Sequence, residues 1–142
     1  MKAHDDYVLL VEDNPDDAEL TLLSFKKNKY PHEMVVVRDG AEALDFLFGA
    51  GLYLGRDKNR LPRLILLDLN LPKVQGLEVL KRIRAVPFLK HIPMVILTSS
   101  NVEKDRTEAN ILGATLYIRK PINLNDFADV VRQINNLPFT PN

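Results

Sequence analysis

Carboxylate, hydroxyl and ammonium side chains follow short apolar segments of this sequence at several separate places. In chain order these residues are Glu12 and Asp13, Asp68 and Asn70, Thr98 and Ser99, and Lys120 followed by Pro121. Two or three carboxylates with few other ligands suit Mg²⁺, a hard cation that prefers oxygen. A carboxylate beside such a cation can attack phosphorus and form an acyl phosphate, while the cation and a lysine neutralise the phosphoryl oxygens. The residue types therefore indicate phosphoryl transfer to a carboxylate.

Each of these residues also has an ordinary structural explanation. Glu12 and Asp13 are suited to the start of a helix, where carboxylates satisfy free backbone N–H groups. Asp68 is a common residue type where a strand leads into a turn, and one lysine among 19 basic residues is usually a surface charge. Capping and turn formation do not require that two acidic groups, a hydroxyl and a lysine follow four separate apolar segments. The combination therefore favours a shared site.

Strand-sized apolar segments supply the framework for such a site. They are residues 7–11, 34–37, 64–67, 94–97 and 116–118. Continuous apolar character without alternation is typical of strands whose sheet is covered by helices on both faces, and such strands are usually parallel. The stretches between them have apolar residues at helical spacing, for example Ala18, Leu22 and Phe25. The sequence predicts an α/β fold of (βα)₅ order with right-handed crossovers.

Residues at the element boundaries support this alternation. Asp39 is predicted to cap a helix and Gly113 to end one, while Asn123 and Asp126 resemble a capping box. Residues 49–62 contain glycines and charged residues and are predicted to form a polar loop. Ligands of open parallel α/β sheets bind beyond the carboxyl ends of the strands. We therefore expect the polar residues that follow the strands to meet at one edge of the sheet.

The composition limits the partners and the location of the chain. With 142 residues, nearly half of them hydrophobic, it is expected to form one domain with a core over about residues 7–135 and short tails. Basic and acidic residues are balanced at 19 each, so no broad field is expected to attract nucleic acid or anionic lipid. The absence of cysteine excludes disulfides and thiolate chemistry. No apolar run approaches the ~20 residues of a membrane helix, so a cytoplasmic location is expected.

The segments LLVEDNPDD, LILLDLNLP with Gly76 downstream, VILTSS and YIRKP resemble, as an ordered set, the receiver domain of bacterial two-component response regulators. The resemblance covers the chain from Tyr7 to about Ile134. It implies a flavodoxin-like, doubly wound parallel sheet of strand order 2-1-3-4-5, with Asp68 as the phosphoacceptor and Mg²⁺ or Mn²⁺ as the cofactor. The metal site that it implies comprises Glu12, acting mostly through water, Asp13, Asp68 and the backbone carbonyl of Asn70.

The resemblance also implies roles for residues near the last two strands. Thr98 and Lys120 would contact the phosphoryl group, and the small Ser99 would leave room for a phosphoryl oxygen near its backbone N–H. The family has a cis peptide bond at the position between Lys120 and Pro121, which sets the direction of the lysine. Tyr117 matches the switch aromatic that follows the threonine inward on phosphorylation. A strand aromatic with its hydroxyl at the surface is the ordinary alternative for Tyr117.

Within this family, the chain is most similar to single-domain regulators paired with bacterial phytochrome-type histidine kinases. The similarity lies in the long loop with Tyr53 before LPRLILLDLNLP and in the later PFLKHIPMVILTSS. The expected partners are a sensor histidine kinase and a downstream protein or phosphotransfer protein, since no helix-turn-helix module follows for direct DNA binding. Members of that group often have an aromatic-rich tail, whereas this tail has one aromatic residue. Leu137 and Phe139 are candidates for an apolar anchor in a homodimer or a partner complex.

Three other functions are consistent with parts of the pattern. A phosphatase of the haloacid dehalogenase type needs a second acid two residues after its nucleophile, where this chain has Asn70. A flavin-binding flavodoxin-like module needs a phosphate cradle rich in hydroxyls and glycines after the first strand, where this chain is acidic. A degenerate receiver that serves as an interaction scaffold would lack some chemical residues, and here all those positions are occupied. The receiver interpretation is therefore favoured.

Overall fold

The computed structural model describes residues 7–57, 59–100, 102–121 and 123–137, so the predicted role of Phe139 lies outside the described residues. The strands are β1 Tyr7–Val11, β2 Glu33–Val37, β3 Leu64–Leu67, β4 Met94–Thr98 and β5 Leu116–Arg119. Neighbouring strands pair in parallel in the order β2-β1-β3-β4-β5. The predicted fold class and strand order are confirmed, and the strand ends lie within one residue of the predicted ends.

Helices cover both faces of this sheet. They are α1 Pro15–Lys27, α2 Gly40–Phe48, α3 Gly76–Arg84, α4 Glu103–Leu112 and α5 Phe127–Asn135. Successive strand residues point to opposite faces: Leu9 and Ile65 lie in the core beneath α2, α3 and α4, whereas Leu10 and Leu66 lie beneath α1 and α5. This burial on both faces explains the continuous apolar segments. None of the helices in the described ranges is long and apolar enough to cross a membrane.

Asn14 begins α1 by capping its free N–H groups. Its Oδ1 accepts hydrogen bonds from the backbone N–H of Asp16 at 2.9 Å and of Asp17 at 3.1 Å. Glu12 instead accepts the backbone N–H of Asn14 at 3.2 Å. The cap is therefore Asn14, which leaves the carboxylates of Glu12 and Asp13 for other contacts.

The other predicted helix boundaries are also present. The Asp39 carboxylate accepts the backbone N–H of Glu42 at 2.7 Å at the start of α2. Gly113 ends α4 in the left-handed conformation, with φ of 102°. Asn123 accepts the backbone N–H of Asp126 at 3.1 Å and begins a short 3₁₀ turn ahead of α5. These local contacts help to fix where α2 and the 3₁₀ turn begin and where α4 ends.

The segment of residues 49–62 differs from the polar loop predicted for it. A 3₁₀ turn spans Gly51–Tyr53, and the Tyr53 hydroxyl donates to Glu42 Oε2 at 2.5 Å. Arg56 donates to the Tyr7 hydroxyl at 2.7 Å. The sequence did not reveal this structure because three residues are too short for a periodic pattern and because the contacts join residues distant along the chain.

Candidate functional site

Carboxylates converge at the carboxyl-terminal edge of the sheet. Glu12 and Asp68 follow β1 and β3, and their backbone N–H groups donate to the carbonyl oxygens of Val37 at 3.0 Å and Val11 at 3.2 Å. Glu12 is 3% exposed and Asp68 is 6% exposed, while Asp13 is exposed. Carboxylate oxygens of Glu12, Asp13 and Asp68, here called the acidic cluster, lie within 4.8 Å of one another. The sheet therefore brings these acids together at the predicted edge.

The Lys120 ammonium lies against the acidic cluster. Its Nζ donates to Glu12 Oε1 at 2.7 Å, to Asp17 Oδ2 at 3.1 Å and to Asp68 Oδ2 at 3.2 Å. The lysine side chain is 8% exposed, and the backbone N–H of Lys120 donates to the carbonyl oxygen of Thr98 at 2.7 Å. The end of β5 therefore places the amine beside the carboxylates that follow β1 and β3.

Burial and charge have opposite effects on the ionisation of this pair. Burial raises the pKa of Glu12 to about 7, and the hydrogen bond from Lys120 offsets part of the rise. Burial lowers the pKa of Lys120, but the hydrogen bond to Glu12 and the charge of Asp68 outweigh burial and raise that pKa above its usual range. Lys120 is therefore cationic at neutral pH, whereas Glu12 exchanges its proton close to neutrality.

The turn after β3 positions the Asp68 carboxylate. The backbone N–H of Asn70 donates to Asp68 Oδ1 at 3.2 Å, while Oδ2 accepts from Lys120. A Cβ atom at Gly76 would lie 2.4 Å from the Asp68 carbonyl oxygen and 2.6 Å from the Leu69 Cα. Since real Cβ atoms do not approach other atoms so closely, α3 can start against this turn only with glycine at position 76. The site thus depends on Gly76 as well as on its charged residues.

Thr98 and Ser99 lie at the end of β4, with different exposure. Thr98 is fully buried and Ser99 is exposed. The Thr98 Oγ1 accepts the backbone N–H of Ser100 at 3.3 Å. Among the residues that the structure describes, the Thr98 hydroxyl bonds to neither Asp68 nor Lys120. Among the described residues, the hydrogen bond between Thr98 and Lys120 therefore joins their backbone groups and does not involve the Thr98 hydroxyl.

Tyr117 lies against the loop between β4 and α4. Its hydroxyl donates to the carbonyl oxygen of Ser100 at 3.5 Å, and the guanidinium carbon of Arg106 lies 4.8 Å from the ring centroid. Ser100 Oγ donates to Asp105 Oδ2 at 2.8 Å. Ser100 therefore joins the Thr98 hydroxyl, Tyr117 and α4 in one hydrogen-bonded group.

The peptide bond between Lys120 and Pro121 is trans, so the cis bond implied by the resemblance is wrong for this structure. No cis peptide bond occurs in the described parts of the chain. The trans form is the favoured one for a bond before proline, by about 0.5–1 kcal/mol. With the trans bond, the Lys120 amine still reaches Glu12 and Asp68.

Asp17 is a residue of the site that the sequence analysis missed. Its side chain is 40% exposed and forms an ion pair with Lys120, a residue 103 positions away. The available signal was its place in the first turn of α1, within the segment LLVEDNPDD that also contains Glu12 and Asp13. That signal places another acid near the site but does not show which residue the acid contacts. The contact depends on where the end of β5 positions Lys120 relative to α1.

Comparisons with known proteins identify the family of this chain. The family model described as Response regulator receiver domain matches residues 8–132. Response regulator Rcp1 of Synechocystis sp. is 41% identical over 129 residues, which are 91% of this chain and 86% of that protein. The crystal structure of the Mn²⁺-bound form of Rcp1 has a TM-score of 0.83 and 38% identity, covering 96% of this chain and 99% of that one.

A third similarity is with a phosphorylated regulator. The crystal structure of the phosphorylated cyanobacterial phytochrome response regulator RcpA has a TM-score of 0.81 and 42% identity, covering 92% of this chain and 91% of that one. The family match spans most of the chain, including the acidic cluster and Lys120. The chain therefore belongs to the response regulator receiver domain family, whose members act as signalling components of two-component systems.

Proposed function

We propose that this chain is a phosphorylation-dependent switch that accepts a phosphoryl group on Asp68 from the phosphohistidine of a sensor histidine kinase. The observation that carries the proposal is the 3.2 Å distance between Lys120 Nζ and Asp68 Oδ2, beside the acidic cluster. A carboxylate that becomes an acyl phosphate needs cationic groups near the oxygens of the transferred phosphoryl group. Lys120, whose pKa lies above its usual range, supplies one such group.

The residues of the acidic cluster fit Mg²⁺, or Mn²⁺ in its place. Mg²⁺ takes octahedral oxygen ligands at about 2.1 Å, so adjacent ligands lie about 3 Å apart and opposite ligands about 4.2 Å apart. Both distances lie below the 4.8 Å limit within the cluster. Glu12, Asp13, Asp68 and the Asn70 carbonyl would hold the cation, and the relative Rcp1 has a Mn²⁺-bound form. When bound, the cation supplies positive charge beside the phosphoryl oxygens.

The transfer replaces one bond to phosphorus by another. An oxygen of the Asp68 carboxylate forms the new O–P bond while the N–P bond to the kinase imidazole breaks, and that nitrogen keeps the electron pair. Lys120 then gives up its hydrogen bond to Asp68 and donates to a phosphoryl oxygen.

The Thr98 hydroxyl is the group that senses the phosphoryl group in this proposal. When it turns toward a phosphoryl oxygen, it gives up its bond to the Ser100 N–H, and the Ser100 carbonyl no longer holds the Tyr117 hydroxyl in place. Tyr117 then moves inward and changes the face formed by α4, β5 and α5. Ser99 is small and exposed, so its backbone N–H would donate to a phosphoryl oxygen. To convert nearly all molecules, phosphorylation must favour the active state by about 5.5 kcal/mol.

We further propose a kinase of the phytochrome type as the donor. Support comes from RcpA, a phytochrome response regulator that is 42% identical to this chain. The 142 residues are proposed to act as one receiver domain, which signals by contact with a downstream protein or by onward transfer to a phosphotransfer protein. No direct contact with nucleic acid is part of the proposal, since the net charge is zero.

Incubation with acetyl phosphate and Mg²⁺ tests the proposed function. We expect one acid-stable, alkali-labile phosphate per chain, and none when the divalent cation is removed with EDTA. Asp68→Asn should abolish the label, whereas Asp16→Asn, which removes an exposed carboxylate of α1, should keep it. Stoichiometric labelling of Asp68→Asn would overturn the assignment. A native chain that takes up no phosphate would indicate a scaffold, and turnover of a phosphomonoester without an adduct would indicate a phosphatase.

A further inference from the structure

The Lys120 ammonium pairs with carboxylates that differ in whether they belong to the acidic cluster. In the described residues its ion pairs are with Glu12, Asp17 and Asp68. Glu12 and Asp68 also belong, with Asp13, to the acidic cluster suited to a divalent cation, and Asp17 does not. Of the three ion-pair partners of Lys120, Asp17 is therefore the one whose carboxylate would not coordinate a cation bound in the acidic cluster.

With a divalent cation bound, Glu12 and Asp68 would direct their oxygens to it as well as to the ammonium, and the like charge of the cation would repel the ammonium. Two of the three attractions on Lys120 would therefore weaken. A lysine has a flexible stem, and holding it in one place costs side-chain entropy. Without a further anion, binding of the cation would therefore release the amine that the phosphoryl group needs.

The backbone of Asp17 is held where its carboxylate can act as that further anion. Its N–H donates to the capping oxygen of Asn14 at 3.1 Å, and its carbonyl oxygen accepts from the Thr21 hydroxyl at 2.9 Å. The side chain is 40% exposed, compared with 3% for Glu12 and 7% for Asp68. Because the backbone of Asp17 is held and its side chain is partly exposed, the carboxylate can change its rotamer and stay with the ammonium over a short distance.

We propose that Asp17 is a positioning residue that keeps the Lys120 ammonium at the edge of the sheet when a divalent cation engages Glu12 and Asp68. This role rests on the proposed function and deepens it, because Asp17 acts on the phosphoryl group only through Lys120. As the ammonium moves from Asp68 to a phosphoryl oxygen, Asp17 remains its ion-pair partner.

Three variants test this role in the phosphorylation reaction. Asp17→Asn keeps the shape of the side chain and removes its charge, Asp17→Glu keeps the charge, and Asp16→Asn removes the neighbouring charge as a matched control. At saturating Mg²⁺, we expect Asp17→Asn to slow labelling by acetyl phosphate by about 3-fold to 10-fold, a typical size for coupling between residues in contact. Asp17→Glu should recover most of the rate, and Asp16→Asn should react like the native chain. A native rate for Asp17→Asn would overturn the proposal.

Two controls separate positioning of the lysine from attraction of the cation. If Asp17 only attracted the cation, Asp17→Asn would bind Mg²⁺ more weakly by titration calorimetry, and saturating Mg²⁺ would restore the rate. That result would contradict the proposal. In a Lys120→Ala background, we expect Asp17→Asn to cause no further loss, because the residue through which it acts is missing. Independent, additive losses would also contradict it.

A spectroscopic measurement tests the position of the amine without any phosphorylation. The ¹⁵N side-chain signal of Lys120, assigned with a Lys120→Arg variant, should be observed in the native chain both without and with Mg²⁺. In Asp17→Asn we expect the signal in the metal-free protein and its loss on addition of Mg²⁺. A signal that persists in the Mg²⁺-loaded variant would overturn the role of Asp17, whereas failure of Asp68 to accept phosphate would overturn only the proposed function.

Discussion

Glu12 is a carboxyl group kept almost entirely from water at the end of β1. Its side chain is 3% exposed, and its compensating contacts are the Lys120 ammonium at 2.7 Å and the backbone N–H of Asn14 at 3.2 Å. These contacts do not fully replace the lost hydration, so the pKa of Glu12 stays raised, at about 7. Ionisation of Glu12, a proposed ligand of the cation, is therefore unfavourable in the metal-free protein.

We expect the metal-free protein to lose stability through Glu12 as the pH rises. Its folded pKa of about 7 exceeds the ordinary value of 4.5, so the folded state binds the proton more tightly than the unfolded state does. The resulting stability is fully present below pH 4.5 and is lost as the pH rises through 7. Denaturant unfolding in EDTA should show the native chain losing free energy of unfolding relative to Glu12→Gln across this range.

The exposed Glu19 of α1 provides the control for this measurement. Glu19→Gln should keep the pH dependence of the native chain, because an exposed carboxyl group gains no comparable burial. If Glu12→Gln and the native chain had parallel stability curves from pH 4 to 8, the raised pKa of Glu12 would be wrong.

Between elements, the contact of α3 with the turn after β3 determines where Asp68 lies. We expect Gly76→Ala to lower the free energy of unfolding by about 1–3 kcal/mol, because its Cβ would overlap the backbone of the turn, 2.4 Å from the Asp68 carbonyl oxygen. The shifted turn should also slow phosphorylation. Denaturant unfolding and the rate of labelling by acetyl phosphate measure the two effects. Ala85→Ser, at the exposed end of the same helix, should change neither, and native behaviour of Gly76→Ala would contradict the close contact.

The contact of α4 with β5 holds Tyr117 in its observed position. An exposed cation–π contact contributes about 0.5–1 kcal/mol, so Arg106→Ala should shift the proposed equilibrium about 2-fold to 5-fold toward the inward position that we propose for Tyr117. Amide chemical shifts of β5 in the unphosphorylated variant should therefore move toward those of the phosphorylated native chain. The exposed Lys104→Ala on α4 should leave them unchanged. Shifts in any other direction would contradict a holding role for Arg106.

The elements differ in how far the sequence could predict them. Strands such as Leu64–Leu67 were predictable because burial on both faces demands apolar residues at every position. The 3₁₀ turn at Gly51–Tyr53 was not, because it is stabilised by contacts such as that of Tyr53 with Glu42. The acidic cluster followed from the strand ends, whereas the pairing of Asp17 with Lys120 depends on how α1 and β5 approach each other. The trans bond before Pro121 differs from the cis bond that the resemblance implied.

At the scale of the whole molecule, the strand order makes a site from residues far apart in the sequence. Lys120 and Glu12 are 108 positions apart and lie 2.7 Å from each other. β5 is two strands away from β3 in the sheet, a distance of about 10 Å at the usual strand spacing. A long side chain is needed to cover that distance, and lysine also brings a charge. The buried strands thus hold the acids and the amine in a fixed relation.

Mapping the modified residue tests the role of Asp68 most directly. The native chain is incubated with acetyl phosphate and Mg²⁺ and then treated with borohydride, which reduces an aspartyl phosphate to homoserine, and the peptides are sequenced by mass spectrometry. We expect homoserine at position 68 alone, and unmodified aspartate there when EDTA replaces Mg²⁺. Homoserine at Asp13 or at any other aspartate, with position 68 unmodified, would contradict phosphoryl transfer to Asp68.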